Sequence, residues 1–250
     1  MSDRLNLVRE RAQGFVSGHG DALERRLALV LAGADVGPFE GWLAAVQLPD
    51  GSFPPEGSLL AVRRALVALA DAGALESPPV ERACRFLAGV QSGAGGWAAG
   101  SETDDMRETG LLTGLLARTR FARADVLDAA GDWLAVRFSP ERVQGFAWEA
   151  IAAYGACFAN LPHEEGDGIL QWCGRELQRG FQARRFDAIR TARVLAWCDA
   201  PSVPGAGVGA PQLVAAILDE QSDDGSWPAP DGVSAASHAV DALAVLRRFA

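Results

Sequence analysis

The sequence contains no lysine. All 23 of its basic residues are arginine, and they stand against 32 acidic residues, so that the formal net charge is −9. A chain with this excess of negative charge is repelled by phosphate backbones and by anionic lipid headgroups. We therefore expect neither nucleic acid nor an anionic membrane surface among its partners.

Long apolar runs are also missing. The longest ones, LALVLAGA from Leu27 and LLTGLLA from Leu111, are far shorter than the roughly 20 residues that span a bilayer. The first residues, MSDRLNLVRERAQ, are polar and contain no continuous apolar segment of the signal-peptide type. We therefore predict no membrane span and a cytoplasmic location.

Cysteine is scarce and widely spaced. The residues are Cys84, Cys157, Cys173 and Cys198, and none of them forms a C-x-x-C pair. This spacing indicates neither a structural zinc site nor a disulfide framework. Because free cysteine packs as a small hydrophobic residue, we predict buried free thiols.

Several catalytic motifs are absent as well. The sequence has no G-x-S-x-G, P-loop or H-E-x-x-H pattern. The glycine-rich segment within 201–211 lacks the preceding strand that a dinucleotide fingerprint needs. We therefore predict that the protein uses no cofactor.

One internal repeat is present. The segments QLPDGSF (47–53), QSGAGGW (91–97) and QSDDGSW (221–227) all fit the pattern Q-x-x-x-G-x-aromatic. Each follows an amphipathic stretch and precedes a second helical pattern that is rich in alanine and leucine. The repeating unit is therefore a helix, a turn and a helix.

This unit predicts an all-α protein of six helix pairs. The alanine- and leucine-rich helices are expected at about 57–73, 104–119, 145–160, 186–199 and 233–249, and amphipathic ones at about 38–47, 78–91, 122–137, 164–180 and 210–221. Two more, at about 3–16 and 21–34, complete the count. The last helix is apolar and has no polar cap, which favours a closed ring over an open array. We predict one (α/α)6 toroid domain over residues 1–250.

The three glutamine segments resemble the QW repeats of the terpenoid cyclase and protein prenyltransferase superfamily. In that family the glutamine caps a helix end and the aromatic ring packs beside it, and the members fold as α/α toroids. The matching residues are Gln47, Gly51 and Phe53, then Gln91, Gly95 and Trp97, then Gln221, Gly225 and Trp227. Catalytic and non-catalytic branches share this fold, so the resemblance implies the fold more strongly than a reaction.

The stretch SETDDMRETG from Ser101 resembles the D-x-D-D motif of class II terpene cyclases. In that motif the middle aspartate protonates an alkene or an epoxide, which makes Asp104 the general acid and assigns Glu102 and Asp105 to tuning it. Clustered carboxylates in a dry cavity retain protons because like charges a few ångströms apart cannot all ionise. A non-catalytic interpretation is equally open, since acidic residues favour a helix start by capping and through the helix dipole.

The same stretch also resembles the β subunits of protein prenyltransferases, where an Asp-x-Arg pair starts the equivalent helix and is matched by Asp105 and Arg107. Those subunits bind zinc through an Asp, a Cys and a His. His238 lies where that histidine is expected, but Asp187 is followed by Ala188 and Ile189 and the cysteine is missing. Because a catalytic zinc site usually has three protein ligands, we predict no metal and assign His238 to a pocket or to the core.

If the ring closes, the first turns of the alanine-rich helices meet at one mouth and define a candidate pocket. Aromatic faces there could stabilise carbocations along an isoprenoid path, although aromatic residues at helical spacing also fill cores. The candidate substrate-binding residues are Arg107, Trp148, Glu149, Tyr154, Asp187, Arg190, Trp197 and His238, together with Arg63, Arg64 and Asp241 at the same mouth.

The resemblance therefore implies an isomerase-type cyclase that protonates and cyclises a polyprenyl-type substrate. The aspartate-rich D-D-x-x-D arrangement of ionisation-initiated terpene synthases is absent, so that a reaction would begin by protonation. Class II cyclases that resemble this chain form their site between two helical domains. We therefore expect a homodimer, a second helical domain or another protein to close the cavity against water.

Two alternatives stay open at this stage. One is a non-catalytic toroid that binds a protein or an apolar ligand, and the other is an acid-catalysed cyclase of another secondary metabolite. The electrostatic state of the 102–105 cluster distinguishes them: a buried mouth and a raised pKa of these carboxyl groups would favour catalysis. An exposed cluster paired to Arg107 would favour a structural role.

Overall fold

The computed structural model describes residues 2–250, and within them it contains α-helices and no strand. The all-α prediction is therefore confirmed. The helices are α1 (Ser2–His19), α2 (Ala22–Leu31), α3 (Phe39–Val46), α4 (Leu59–Asp71), α5 (Pro78–Val90), α6 (Glu102–Leu116), α7 (Ala124–Ala135), α8 (Pro140–Val143), α9 (Trp148–Asn160), α10 (Gly166–Gln182), α11 (Ala188–Trp197), α12 (Ala210–Glu220) and α13 (Ala235–Phe249).

Every helix predicted from the sequence has a counterpart, and the differences lie at the ends. Helix α9 begins at Trp148 rather than near 145, because Gly145 and Phe146 both have a φ of 69°, which is incompatible with a right-handed helix. The short helix α8 was not predicted. It starts at Pro140, whose fixed φ suits a first helical position.

Two sets of helices differ in how they are buried. Helices α6 and α9 are buried over most of their length, whereas α5 buries one stripe, Val80, Ala83, Cys84 and Leu87, at helical spacing. Small residues allow α6 and α9 to approach closely. A Cβ atom on Gly110 or Gly114 would lie within about 2.5 Å of a backbone oxygen of α9.

The helix contacts form a cycle. We call α2, α4, α6, α9, α11 and α13 the central helices; each contacts the next, and α13 contacts α2. We call α1, α3, α5, α7, α10 and α12 the flanking helices, and each of them packs against one or two central helices. The long-range contact of α1 with α13 brings the two ends of the described chain together.

The three glutamine segments join consecutive flanking helices. In each, the glutamine Nε2 donates one hydrogen bond to the carbonyl of the glycine in its own turn and another to a backbone carbonyl of the next flanking helix. The first distance is 2.9, 2.7 and 3.1 Å for Gln47, Gln91 and Gln221, and the second, to Pro79, Val126 and Val8 in turn, is 2.9 Å each time. The glutamine is thus both the C-cap of one helix and a link to its neighbour.

The glycine and the aromatic residue of each segment complete this joint. The indole nitrogens of Trp97 and Trp227 donate back to Leu87 and Ile217 of their own flanking helices, at 2.9 and 2.8 Å. Gly225 has a φ of 90° and faces α1 so closely that a Cβ atom would lie 2.3 Å from the carbonyl oxygen of Arg11. Only glycine suits a position with both restrictions.

Two further predictions concern the cysteines and a membrane span. All four cysteines are buried and free, as predicted. Burial raises the pKa of the Cys84 and Cys198 thiols to about 12. In the part of the chain that the structure covers, none of the helices is both long enough and apolar enough for a membrane span.

Replacing Gly225 by alanine tests the joint between α12 and α1. Gly232→Ala in the same loop is the matched control, because Gly232 also has a positive φ, 78°, but nothing lies within 4 Å of its added Cβ. Backbone strain costs both variants about 1–3 kcal/mol. We expect Gly225→Ala to lose more free energy of unfolding than Gly232→Ala in urea titrations. Equal losses would show that the close approach to Arg11 contributes nothing.

Candidate functional site

The central helices surround a cavity of about 490 Å³. Its wall is formed largely by their first two turns, and it combines apolar, aromatic and charged side chains. The apolar part includes Leu27, Val67, Leu111, Val233 and Val240, and two tryptophans also line it. This volume is in the range of small-molecule sites.

Most of the predicted pocket residues are brought together on this wall. Those that line the cavity are Arg63, Arg64, Arg107, Trp148, Glu149, Arg190, Trp197, His238 and Asp241. Tyr154, Asp187 and the carboxylates of Glu102, Asp104 and Asp105 are not part of the lining. Asp187 caps α11 by accepting a hydrogen bond from the amide of Arg190 at 2.7 Å, and it lines a separate cavity beside α10 and α12.

Asp104 lies at the start of α6 and is 39% exposed at its side chain. Its carboxylate accepts a hydrogen bond from the Ser101 hydroxyl at 2.6 Å and pairs with Arg107 Nη2 at 2.8 Å. The Ser101 hydroxyl in turn accepts from the Asp104 amide, which is an ordinary N-cap. This half-exposed, paired geometry matches the structural interpretation of the cluster, and the acid role of Asp104 stays a prediction.

The two neighbouring carboxylates have local partners as well. Glu102 is 66% exposed and pairs with Arg142 of α8 at 2.6 Å. Asp105 accepts from the backbone amides of Ala99 and Gly100. Each of the three acidic side chains therefore makes contacts that position the beginning of α6.

Glu108 is a buried acid that the sequence interpretation missed. It lies one turn after Asp104, is 2% exposed, and accepts from Arg63 Nε at 2.7 Å and from Arg107 Nε at 3.4 Å. Arg107 thus links the exposed cluster to the buried one. A burial this deep requires the paired guanidinium groups, because an isolated buried charge is strongly unfavourable.

The floor of the cavity is an ion-pair network around Arg193, which is 2% exposed. Its guanidinium donates to both carboxylate oxygens of Asp71 at 2.8 and 2.5 Å, and its Nε lies 2.9 Å from Asp241. Asp71 and Trp197 also line a second cavity on the opposite side, so that the network separates the two. The three charged residues belong to three different central helices, α4, α11 and α13.

This network shifts the protonation equilibria of its members. Burial lowers the pKa of the Arg193 guanidinium, but Asp71 and Asp241 outweigh it, so that the net shift is upward and the group stays charged. Burial raises the pKa of the Asp241 carboxyl group, and Arg193 offsets this only in part.

His238 contributes an unsatisfied polar atom to the same region. Its side chain is 2% exposed, and Nε2 has no hydrogen-bond partner, the nearest carboxylate oxygen being that of Asp187 at 3.7 Å. Burial lowers the pKa of this imidazole, so the ring is neutral. The indole nitrogen of Trp197 is likewise buried and unpartnered. Buried polar groups without partners are unusual in folded proteins.

The two tryptophans of the wall lie side by side, with ring centroids 5.6 Å apart. The guanidinium of Arg190 lies 4.3 Å from the ring centre of Trp148, and that of Arg193 lies 5.2 Å from that of Trp197. Both rings therefore already interact with cations of the protein itself.

Tyr154 lies apart from them. It is fully buried and packs edge-on against Phe138 at 5.2 Å, and burial raises the pKa of its phenol to about 12.

A scan of the chain against protein-family models found no match, and a search of the curated proteins found no relative. A function for this chain therefore has to be inferred from the residues of its cavity.

Arg193→Met removes the cation at the centre of the network and leaves Asp71, whose side chain is 12% exposed, and Asp241, whose side chain is 35% exposed, without their partner. Breaking a buried ion pair in this way costs about 3–5 kcal/mol, which we expect as the loss in free energy of unfolding. Arg123→Met is the matched control, because Arg123 and its partner Asp125 are both more than 60% exposed and such pairs contribute at most about 1 kcal/mol. Chemical denaturation of both variants measures the difference, and similar losses would contradict a structural role for the network.

Proposed function

We propose that the protein is a single (α/α)6 toroid that binds a small, largely apolar molecule in its central cavity. The closed cycle of central helices and the joints between flanking helices support the toroid. The observation that carries the binding function is the cavity itself, which combines apolar walls with the rings of two tryptophans and the carboxylate of Asp241, whose side chain is 35% exposed. A few polar groups in an apolar concavity are typical of small-molecule sites.

This function agrees with the non-catalytic alternative that the sequence left open. The cytoplasmic location and a second copy or other partner covering the mouth also stay predictions.

Binding can be tested by blocking the cavity from its mouth. Val233 lines the cavity and is 37% exposed, so Val233→Trp fills part of the mouth without disturbing the core. Val136→Trp is the control, because Val136 is 84% exposed and lies outside the cavity. A ligand at about 100 times its Kd stabilises the folded state by about 2.7 kcal/mol. We expect farnesol to raise the Tm of the parent and of Val136→Trp, and to leave Val233→Trp unchanged.

Two results would contradict this proposal. The first is that no farnesyl compound, neutral or charged, stabilises the parent protein, and the second is that farnesol stabilises Val233→Trp as much as Val136→Trp. The second result would place the apolar molecule at another surface.

A protonation-initiated isoprenoid cyclase is the second candidate function. One observation favours it: the cavity wall holds a carboxyl group, that of Asp241, whose pKa is raised by burial. Such a group can retain a proton and deliver it to an alkene bound against the apolar wall. The rings of Trp148 and Trp197 would then face the developing cation. By this geometry Asp241 joins Asp104 as a candidate acid.

The cyclase can be tested by incubating the protein with farnesyl diphosphate, geranylgeranyl diphosphate and squalene, followed by mass spectrometry of the products. The variants Asp104→Asn and Asp241→Asn distinguish the two acids. Removing the general acid should lower the rate by at least about 100-fold, because proton transfer typically contributes that much. If Asp241 is the acid, Asp104→Asn retains product formation. Cyclisation that survives both substitutions would exclude both residues as the acid.

A further inference from the structure

The lining of the central cavity and the side chains paired to it together carry an excess of negative charge. Five arginines line it, as do five carboxylates, which are those of Glu24, Asp71, Glu149, Asp231 and Asp241. The lining arginines also pair with three carboxylates outside the lining, those of Asp21, Asp104 and Glu108. Eight carboxylates thus share five guanidinium groups, and the imidazole of His238 is neutral.

The arginines at the mouth are therefore not free to bind an anion. Arg64 is held by Asp21 at 2.6 Å and lies 3.6 Å from Glu24, and Arg63 is held by Glu108 at 2.7 Å. Helix N-termini also attract negative charge, but acidic residues of the chain, such as the caps Asp21 and Asp187, already supply it. A diphosphate would have to displace these carboxylates and would meet the remaining ones.

The imbalance is most pronounced at the floor, where one guanidinium faces two carboxylates. Asp241 lies three residues after His238 on α13, so that both project from one face of the helix into the cavity wall. Nε2 of His238 is buried near Asp187, which lies outside the lining, so Asp241, whose side chain is 35% exposed, is the acceptor that a ligand in the cavity can reach. An accessible carboxylate that shares one guanidinium with a second carboxylate is complementary to a group that carries a positive charge and N–H donors.

From this arrangement we infer that the ligand of the central cavity is an organic amine with an apolar body, whose ammonium group binds to the carboxylate of Asp241. This inference rests on the proposed binding function. The apolar wall of Leu27, Val67, Leu111 and Val240 contacts the body of the ligand. A bare metal ion does not fit as well, because no group of three or more metal-ligating side chains comes together within residues 2–250.

Three molecules with the same apolar body test the charge preference: farnesylamine, farnesol and farnesyl diphosphate. Isothermal titration calorimetry at pH 7.5, below the aggregation concentration of each probe, gives the three affinities. Hydrogen bonds to charged groups are stronger than neutral ones, so we expect farnesylamine to bind about tenfold or more tightly than farnesol. Farnesyl diphosphate should bind most weakly.

The variant Asp241→Asn keeps the shape of the side chain and removes its charge. It should bring the affinity for farnesylamine close to that for farnesol, while the affinity for farnesol stays the same. Asp128→Asn, at an exposed position of α7 outside the cavity, is the control and should leave all three affinities unchanged. If Asp241→Asn does not fold, Asp231→Asn at the cavity mouth should still reduce the affinity for farnesylamine alone.

The outcomes distinguish binding in the cavity from the preference for an amine. Farnesol or the diphosphate binding as tightly as the amine would overturn the amine assignment and leave cavity binding intact. So would an amine preference that persists in Asp241→Asn. Failure of all three probes to bind would overturn cavity binding itself, and the amine assignment with it.

Discussion

The interaction on which the centre of the molecule depends is the pairing of Arg193 with Asp71 and Asp241. It joins three central helices whose residues are far apart in sequence, Asp71 and Arg193 being separated by 122 positions. The network also lies between two cavities. The same three residues therefore join the helices and form the floor of the site. Because buried ion pairs often contribute little net stability, its value lies in setting the relative position of the helices.

The positions of the helices could be predicted from the sequence to a large extent because their signals are local. The glutamine, glycine and aromatic residue of each repeat act within one turn and on the next helix, and helical periodicity is apparent in short windows. The ends of α9 were less predictable. Nothing in the sequence pattern indicates that Phe146 adopts a positive φ, a backbone conformation that residues other than glycine rarely adopt.

The site was predictable only in outline. The first turns of the central helices did identify Trp148, Arg190 and His238 as members of one wall. Asp71 is the last residue of α4 and Arg193 lies in the middle of α11, and both were missed because their significance depends on contacts across the molecule. A charged residue within an otherwise small and aliphatic helix was the available signal, since such a residue is buried only with a partner. The acidic composition of the motif at Asp104, by contrast, suggested a general acid. In the structure its carboxylates make local contacts at the start of α6.

The joint between Gln221 and α1 has a consequence for synthesis on the ribosome. Helix α1 buries Val8, Ala12 and Val16, and its partners include α13 and the turn that follows α12. Helix α1 also packs against the neighbouring α2, but these other partners are more than 200 residues away, so the part of its apolar face that they cover stays exposed until they have been translated. At about 5–20 residues per second this exposure lasts on the order of ten seconds or longer. The first helix of the chain is therefore a natural contact for chaperones that recognise nascent apolar segments.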